Sequence, residues 1–121
     1  MSWDVFAFVA PKDLRRMEEL PTGYQMPAMG SRDELIGTIR QLAPQVDESD
    51  PEWLVVQGPD YLVEVSLGSE LSVDSFMFFV RGDAPSGVRV ESGAVRLMLA
   101  IADSVGATLF DTSRGTFLTA S

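Results

Sequence analysis

Two groups of side chains in this chain could do chemistry. Asp47, Glu48, Asp50 and Glu52 crowd four carboxylates into one short stretch, and hard divalent cations bind oxygen clusters of that kind. The spacing is not that of an EF-hand loop, which requires a glycine at its sixth position and a glutamate at its twelfth. A solvated acidic loop without a metal is the expected reading. The second group is Arg81, Asp111 and Arg114, with Ser113 beside them. If the strands carrying Arg81 and Asp111 are parallel neighbours, these side chains meet at strand carboxyl ends, where ligands are often held, and could bind an anion or pass a proton. An ion pair between Arg81 and Asp111 that tethers two strand ends is the plainer expectation.

The missing residue types narrow the chemistry further. The chain has no histidine and no cysteine, which excludes Ser-His-Asp and Cys-His nucleophile systems, zinc or haem ligation of the usual kind, and disulfides. Any acid-base step would depend on a tuned carboxylate. Residues 82–87 contain no G-x-G-x-x-G phosphate loop. No catalytic residue and no cofactor are therefore assigned.

Eighteen Asp and Glu face nine Lys and Arg, a formal net charge of −9. Binding a polyanion depends on cation contacts that release counterions, so neither nucleic acid nor an anionic membrane is an expected partner. A basic protein is. Residues 1–10 lack the basic start of a secretory signal, and no apolar run approaches a membrane span. Cytoplasmic residence is the expectation. A chain of 121 residues fits a single domain spanning 1–121.

The elements that must position these groups follow from periodicity. Residues 3–9 alternate with both faces largely apolar, as a central strand does. A short surface helix is expected over 12–20 and a loop over 21–30. Ser31 and Glu34 form a capping box ahead of Leu35, Ile36, Ile39, Leu42 and Ala43 at helical spacing, and Pro44 stops the run. Residues 47–52 read as a loop. Residues 53–57 and 61–67 read as a hairpin joined by Gly58, Pro59 and Asp60. Residues 76–81 form a second central strand. Ala94, Val95, Met98, Ile101, Ala102 and Val105 mark a second helix that ends at Gly106 and starts after Ser92 or from Val88. Residues 108–111 and 116–118 flank a tight turn.

This order predicts an α+β two-layer sandwich: one mixed five-stranded sheet with two main helices on one face, β-α-β-β-β-α-β, a ferredoxin-like variant. Right-handed crossovers would point the first, second, fourth and fifth strands the same way. One sheet end would then gather Asp4, the acidic loop, Glu70, Asp74 and Asp103. The other would carry Lys12, Arg15, Arg16, Arg81, Arg89 and Arg114, mixed with Asp13, Asp60, Asp83 and Asp111. The aromatic residues Trp3, Phe6, Phe8, Trp53, Tyr61, Phe76, Phe78 and Phe79 fall mostly on strands. They fill the core, line a pocket, or stack two sheets into a homodimer on the face without helices.

Trp3-Asp4, Gly30-Ser31-Arg32, Ser49-Asp50-Pro51 with Trp53, Ser66-Leu67-Gly68, Ser75-Phe76-Met77, Val80-Arg81-Gly82, and Asp111 with Ser113, Gly115 and Phe117 are short motifs scattered along almost the whole chain. In these the chain resembles a family of small uncharacterised bacterial proteins of actinobacterial type. Leu54 stands where that pattern has a glycine. The resemblance implies no activity, cofactor or site.

The leading expectation is a non-catalytic, immunity- or inhibitor-like protein of the cytosol that meets a basic partner through Asp47, Glu48, Asp50, Glu52 and Asp74. Its alternatives are a small-molecule-binding or carboxylate/divalent-metal enzyme, working through Arg81, Asp111 and Arg114 or through the acidic loop, and a structural homodimer without ligand.

Overall fold

Ser31 accepts a hydrogen bond from the Glu34 amide at 3.1 Å, and the Glu34 carboxylate accepts one from the Ser31 amide at 3.0 Å. This closes the capping box and starts helix α1, Arg32–Leu42, whose Leu35, Ile36 and Ile39 are buried. The structure, a computed structural model, describes residues 2–12, 14–43, 45–58, 61–81 and 93–118. The second helix, α2, Gly93–Val105, buries Ala94, Val95, Leu97, Met98, Ile101 and Ala102. Gly106 follows at φ 75°, the left-handed conformation that ends a helix with least cost in glycine.

The strands are β1 (Ser2–Phe8), β2 (Gly30–Ser31), β3 (Val46–Asp47), β4 (Trp53–Gln57), β5 (Leu62–Ser66), β6 (Ser72–Val73), β7 (Ser75–Arg81), β8 (Thr108–Asp111) and β9 (Thr116–Leu118). Seven of them form one sheet in the order β3-β4-β5-β7-β1-β8-β9, and β2 pairs with β6 separately. The protein is α+β, with two α-helices and a large sheet among the described residues. Both helices bury their apolar stripes in one cluster with Trp3, Val5, Leu54, Val56, Val63, Val65, Phe78 and Val80, so they cover the same sheet face.

The sheet departs from the five-stranded expectation in count and direction. Each recorded pair of neighbours is antiparallel. Following the pairings, β4, β7 and β8 run one way, while β1 and β5 run the other. The expected parallel set of first, second, fourth and fifth strands therefore loses its first member, because β1 inserts between β7 and β8. Asp47, read as the first residue of a loop, instead pairs with Val55, and Val46 before it pairs with Val56. In place of a helix over 12–20 there is a 3-10 turn at Met17–Glu19. Asp13, Asp60, Asp83 and Arg89, and the start of the second helix at Ser92 or Val88, lie outside the described residues.

Register sorts the side chains into two faces, because directly opposed residues point to the same side of a sheet. On the helix side, Val5, Phe78, Val65 and Leu54 form one continuous buried row, and Trp3, Val80, Val63 and Val56 form another. Fully burying side chains of this size contributes roughly 1.5–3 kcal/mol each. Among the described residues no helix is long and apolar enough to cross a membrane.

Candidate functional site

Among the described residues neither α1 nor α2 covers the other sheet face, and its composition is unusual for a solvated surface. Trp53, Ser66, Met77, Phe6, Phe110 and Phe117 oppose one another in register, an aromatic-rich row that runs from β4 to β9. Trp53 is 37% exposed and the rest of this row is half-buried. One step along the strands lies a second row, Asp47, Val55, Glu64, Phe79 and Asp4, in which three carboxylates share the face with an aromatic ring. Same-face neighbours along a strand are about 7 Å apart and strands about 4.8 Å apart, so Trp53 and Phe6 each lie one step from a member of the second row, Val55 and Asp4, while Phe110 and Phe117 extend the first row beyond it. Phe8, on this same face, is fully buried, and it stacks on Phe6 with ring centres 5.2 Å apart. The Tyr24 hydroxyl donates to the Val9 carbonyl at 2.7 Å, which brings the long segment after β1 back to that strand end.

The centre of the face is ordered by specific contacts. The Trp53 ring lies flat on Phe79, with centroids 5.2 Å apart and planes 8° from parallel. Trp53 Nε1–H donates to Glu64 Oε1 at 2.9 Å, and Arg81 Nε–H donates to Glu64 Oε2. The guanidinium of Arg81, and then the indole of Trp53, hold the Glu64 carboxyl below its ordinary range. A carboxyl whose pKa is depressed on folding adds stability that is complete above its unfolded value, here 4.5, and is lost as pH falls through the lower folded value. Urea titrations at stepwise lower pH test this with Glu64→Gln. The deficit of the variant against its parent is expected to be largest at neutral pH and to shrink as pH falls below that unfolded value and through the lower folded one. A deficit independent of pH would mean that Glu64 contributes shape rather than charge.

The acidic stretch is built of local turns. Asp47 Oδ1 accepts from the amide and the hydroxyl of Ser49, and these, the hydroxyl first, lower the Asp47 pKa. Asp50 Oδ1 accepts from the Glu52 amide at 3.0 Å. Glu48 turns toward α1 and pairs with Arg40 at 2.6 Å, which lowers the Glu48 pKa. Asp74 accepts from the Ser75 hydroxyl at 3.4 Å. Asp50, Glu52, Glu70, Asp74 and Asp103 lie at the end where β4, β7 and β8 begin or α2 stops. Among the described residues no three acidic side chains converge to hold a metal ion.

The expected charge map needs two corrections, both caused by the reversal of β1. Asp4 pairs with Phe79, near the opposite end of the sheet from Asp50, Glu52 and Asp74. The segment with Lys12, Arg15 and Arg16 leaves β1 at the acidic end, because Phe8 opposes Ser75 and Thr108. The negative end is thus partly offset by cations that were expected far from it.

Arg81 and Asp111 are also not brought together. β1 lies between their strands, Arg81 belongs to the open face with Glu64, and Asp111 opposes Val5 on the helix side. Asp111 is buried to 1% exposure. Its Oδ1 accepts from the Ser113 amide at 3.0 Å and the Arg114 amide at 3.2 Å, shaping the β8–β9 turn, and Arg114 Nε is 3.8 Å from Oδ2. Asp111, Ser113 and Arg114 therefore stay together as a turn, without Arg81. Glu64, Gln45 and Gln57 take part in the open face unforeseen. Only the outward position of Glu64 between Val63 and Val65 hinted at this, and its partners became visible through register alone.

Compared with protein-family models, with curated proteins and with solved structures, the chain matches none.

Proposed function

We propose that this is a non-catalytic, immunity- or inhibitor-like binding protein of the cytosol whose partner is a basic protein. The observation that carries this reading is the open sheet face, where the aromatic row and the carboxylate row lie side by side with Trp53 half-exposed and fixed. Trp and Arg dominate interface energetics, and here Trp53 and Arg81 flank one carboxylate. Carboxylates at Asp47, Glu48, Asp50, Glu52 and Asp74 supply the long-range attraction, which acts mainly on the rate of encounter. Aromatic rows on open sheets also stack single-stranded nucleic acid, but that mode requires a cationic groove. Among the described strand residues of this face Arg81 is the cation, and it is tied to Glu64.

A structural homodimer is the second reading, favoured by the same aromatic row. It is opposed by charge, since two faces each carrying Asp4, Asp47 and Glu64 would be pressed together in chains of net charge −9. A ligand-binding or carboxylate/metal enzyme would need Arg81 with Asp111 and Arg114, or a convergent acidic loop, and has less support.

The test is capture from the native host followed by association kinetics with the captured protein. Asp50→Asn, Glu52→Gln and Asp74→Asn together are expected to slow association about tenfold at low salt and to flatten its salt dependence, leaving dissociation nearly unchanged. Equal kinetics for parent and variant would remove the acidic end from the interface. Sedimentation showing a tight dimer, with no basic protein captured, would favour the homodimer instead.

A further inference from the structure

At the β3 edge of the open face, Gln45, Val46, Asp47, Val55 and Gln57 line a hollow of about 410 Å³. Asp47 opposes Val55, and the Gln57 amide donates to the Gln45 carbonyl at 3.0 Å, so four of these side chains form a square across two strands with Val55 as its apolar member. The hydrogen-bonding capacity of this square is one-sided. Gln57 Nε2 donates to the carbonyls of Gly58 at 3.1 Å and Tyr61 at 3.3 Å, which uses its two donors and leaves Oε1 as an acceptor. Asp47 receives Ser49 on Oδ1, which leaves Oδ2 as a second acceptor, and this one is charged. The hollow thus offers a carboxylate oxygen, an amide oxygen and an apolar surface, and Trp53 stands two residues before Val55 on the same face of β4.

We propose that this hollow receives the guanidinium of an arginine on the basic partner, a conclusion that rests on the protein-binding reading above. Charge selects a cation, and geometry selects arginine among cations. Asp47 and Gln57 are diagonal cross-strand neighbours, whose Cβ atoms stand about 7–8 Å apart or somewhat less. A planar fork with five donors and no acceptor can bridge such a gap, while an ammonium reaches one side of it as a point charge. The methylene stem packs on Val55, and the remainder of the partner lies on the Trp53–Phe79 stack.

The experiment is an amide NMR titration of the full chain with three blocked pentapeptides that differ at one central residue: arginine, lysine, or the neutral arginine isostere citrulline. The arginine peptide is expected to give saturable shifts at Asp47, Val55 and Gln57, including the Gln57 side-chain amide. The lysine peptide should bind at least about threefold more weakly, and the citrulline peptide should give no saturable shift. Asp47→Asn, which keeps the oxygen that receives Ser49, should weaken the arginine peptide about fivefold, and Gln57→Lys at an exposed position should abolish its binding. The spectra themselves report whether each variant is folded. Equal shifts from arginine and citrulline, shifts confined to Asp50, Glu52 and Asp74, or an unaltered titration of both variants would each overturn the proposal.

The two readings fail separately. If the peptides do not distinguish the hollow but the triple variant at the acidic end still slows capture of a basic protein, the arginine site falls and the binding function stands. If the hollow binds arginine selectively while that variant captures the same protein at the same rate, the hollow stands and the acidic end loses its role.

Discussion

Phe78→Ala should lower the unfolding free energy by about 3–5 kcal/mol, and Phe79→Ala, its neighbour in the same strand, by only about 1 kcal/mol. Phe78 is fully buried in the row with Val5, Val65 and Leu54 and meets Phe76 edge-on at 5.2 Å. Deleting its ring leaves a cavity bounded by strands and helices that cannot all close over it. Phe79 points to the open face, where its loss breaks the stack with Trp53 but opens no enclosed void. Domains of this size have about 5–15 kcal/mol of stability in total, so the first variant should be close to unfolding while the second remains folded and available for binding studies. Urea denaturation with a shared slope reads both values. Comparable losses at the two positions would mean that the open face is covered in the native protein, which is the result a tight homodimer would give.

Asp111→Ala is the second large effect, about 2–3 kcal/mol, with Asp111→Asn recovering at least half of it. The carboxylate is buried and organises the turn between β8 and β9 through two backbone amides and the nearby Arg114 guanidinium. Alanine strips the acceptor from both amides. Asparagine keeps the oxygen that receives them and gives up the charge opposite Arg114. Denaturation of the three proteins side by side settles the ranking. If alanine costs nothing, the carboxylate is not needed for the turn, and its burial beside Arg114 would have to serve a ligand, which would revive the anion or acid-base reading of these residues. That outcome matters because Asp111 is the one buried charged residue among the described positions.

The parts of this protein that could be read from side-chain order alone are those decided within a few residues. The capping box of Ser31 and Glu34, the apolar stripe of Leu35, Ile36 and Ile39, the stop of α2 at Gly106, and the alternation of Val63, Glu64 and Val65 each depend on spacings of two to four positions. Local geometry settles such patterns before any distant contact forms. The same holds for the chemistry excluded by the absence of histidine and cysteine.

Tertiary structure decided which strands are neighbours, and with that every functional grouping. Phe6, Phe8, Phe76, Phe78 and Phe79 make both faces of their strands apolar, a pattern equally suited to a sheet covered on both sides and to one with an open aromatic face. Whether Arg81 meets Asp111 depends on β1 entering between β7 and β8, through pairings across some seventy and some hundred residues that no local spacing encodes. The two-residue strand β3 is too short to announce itself by alternation, yet its pairing with β4 is what sets Gln45 and Asp47 beside Val55 and Gln57. A strand's alternation says which of its residues share a side. Only the burial of the whole sheet against the helices selects the register that tells each side what it will face.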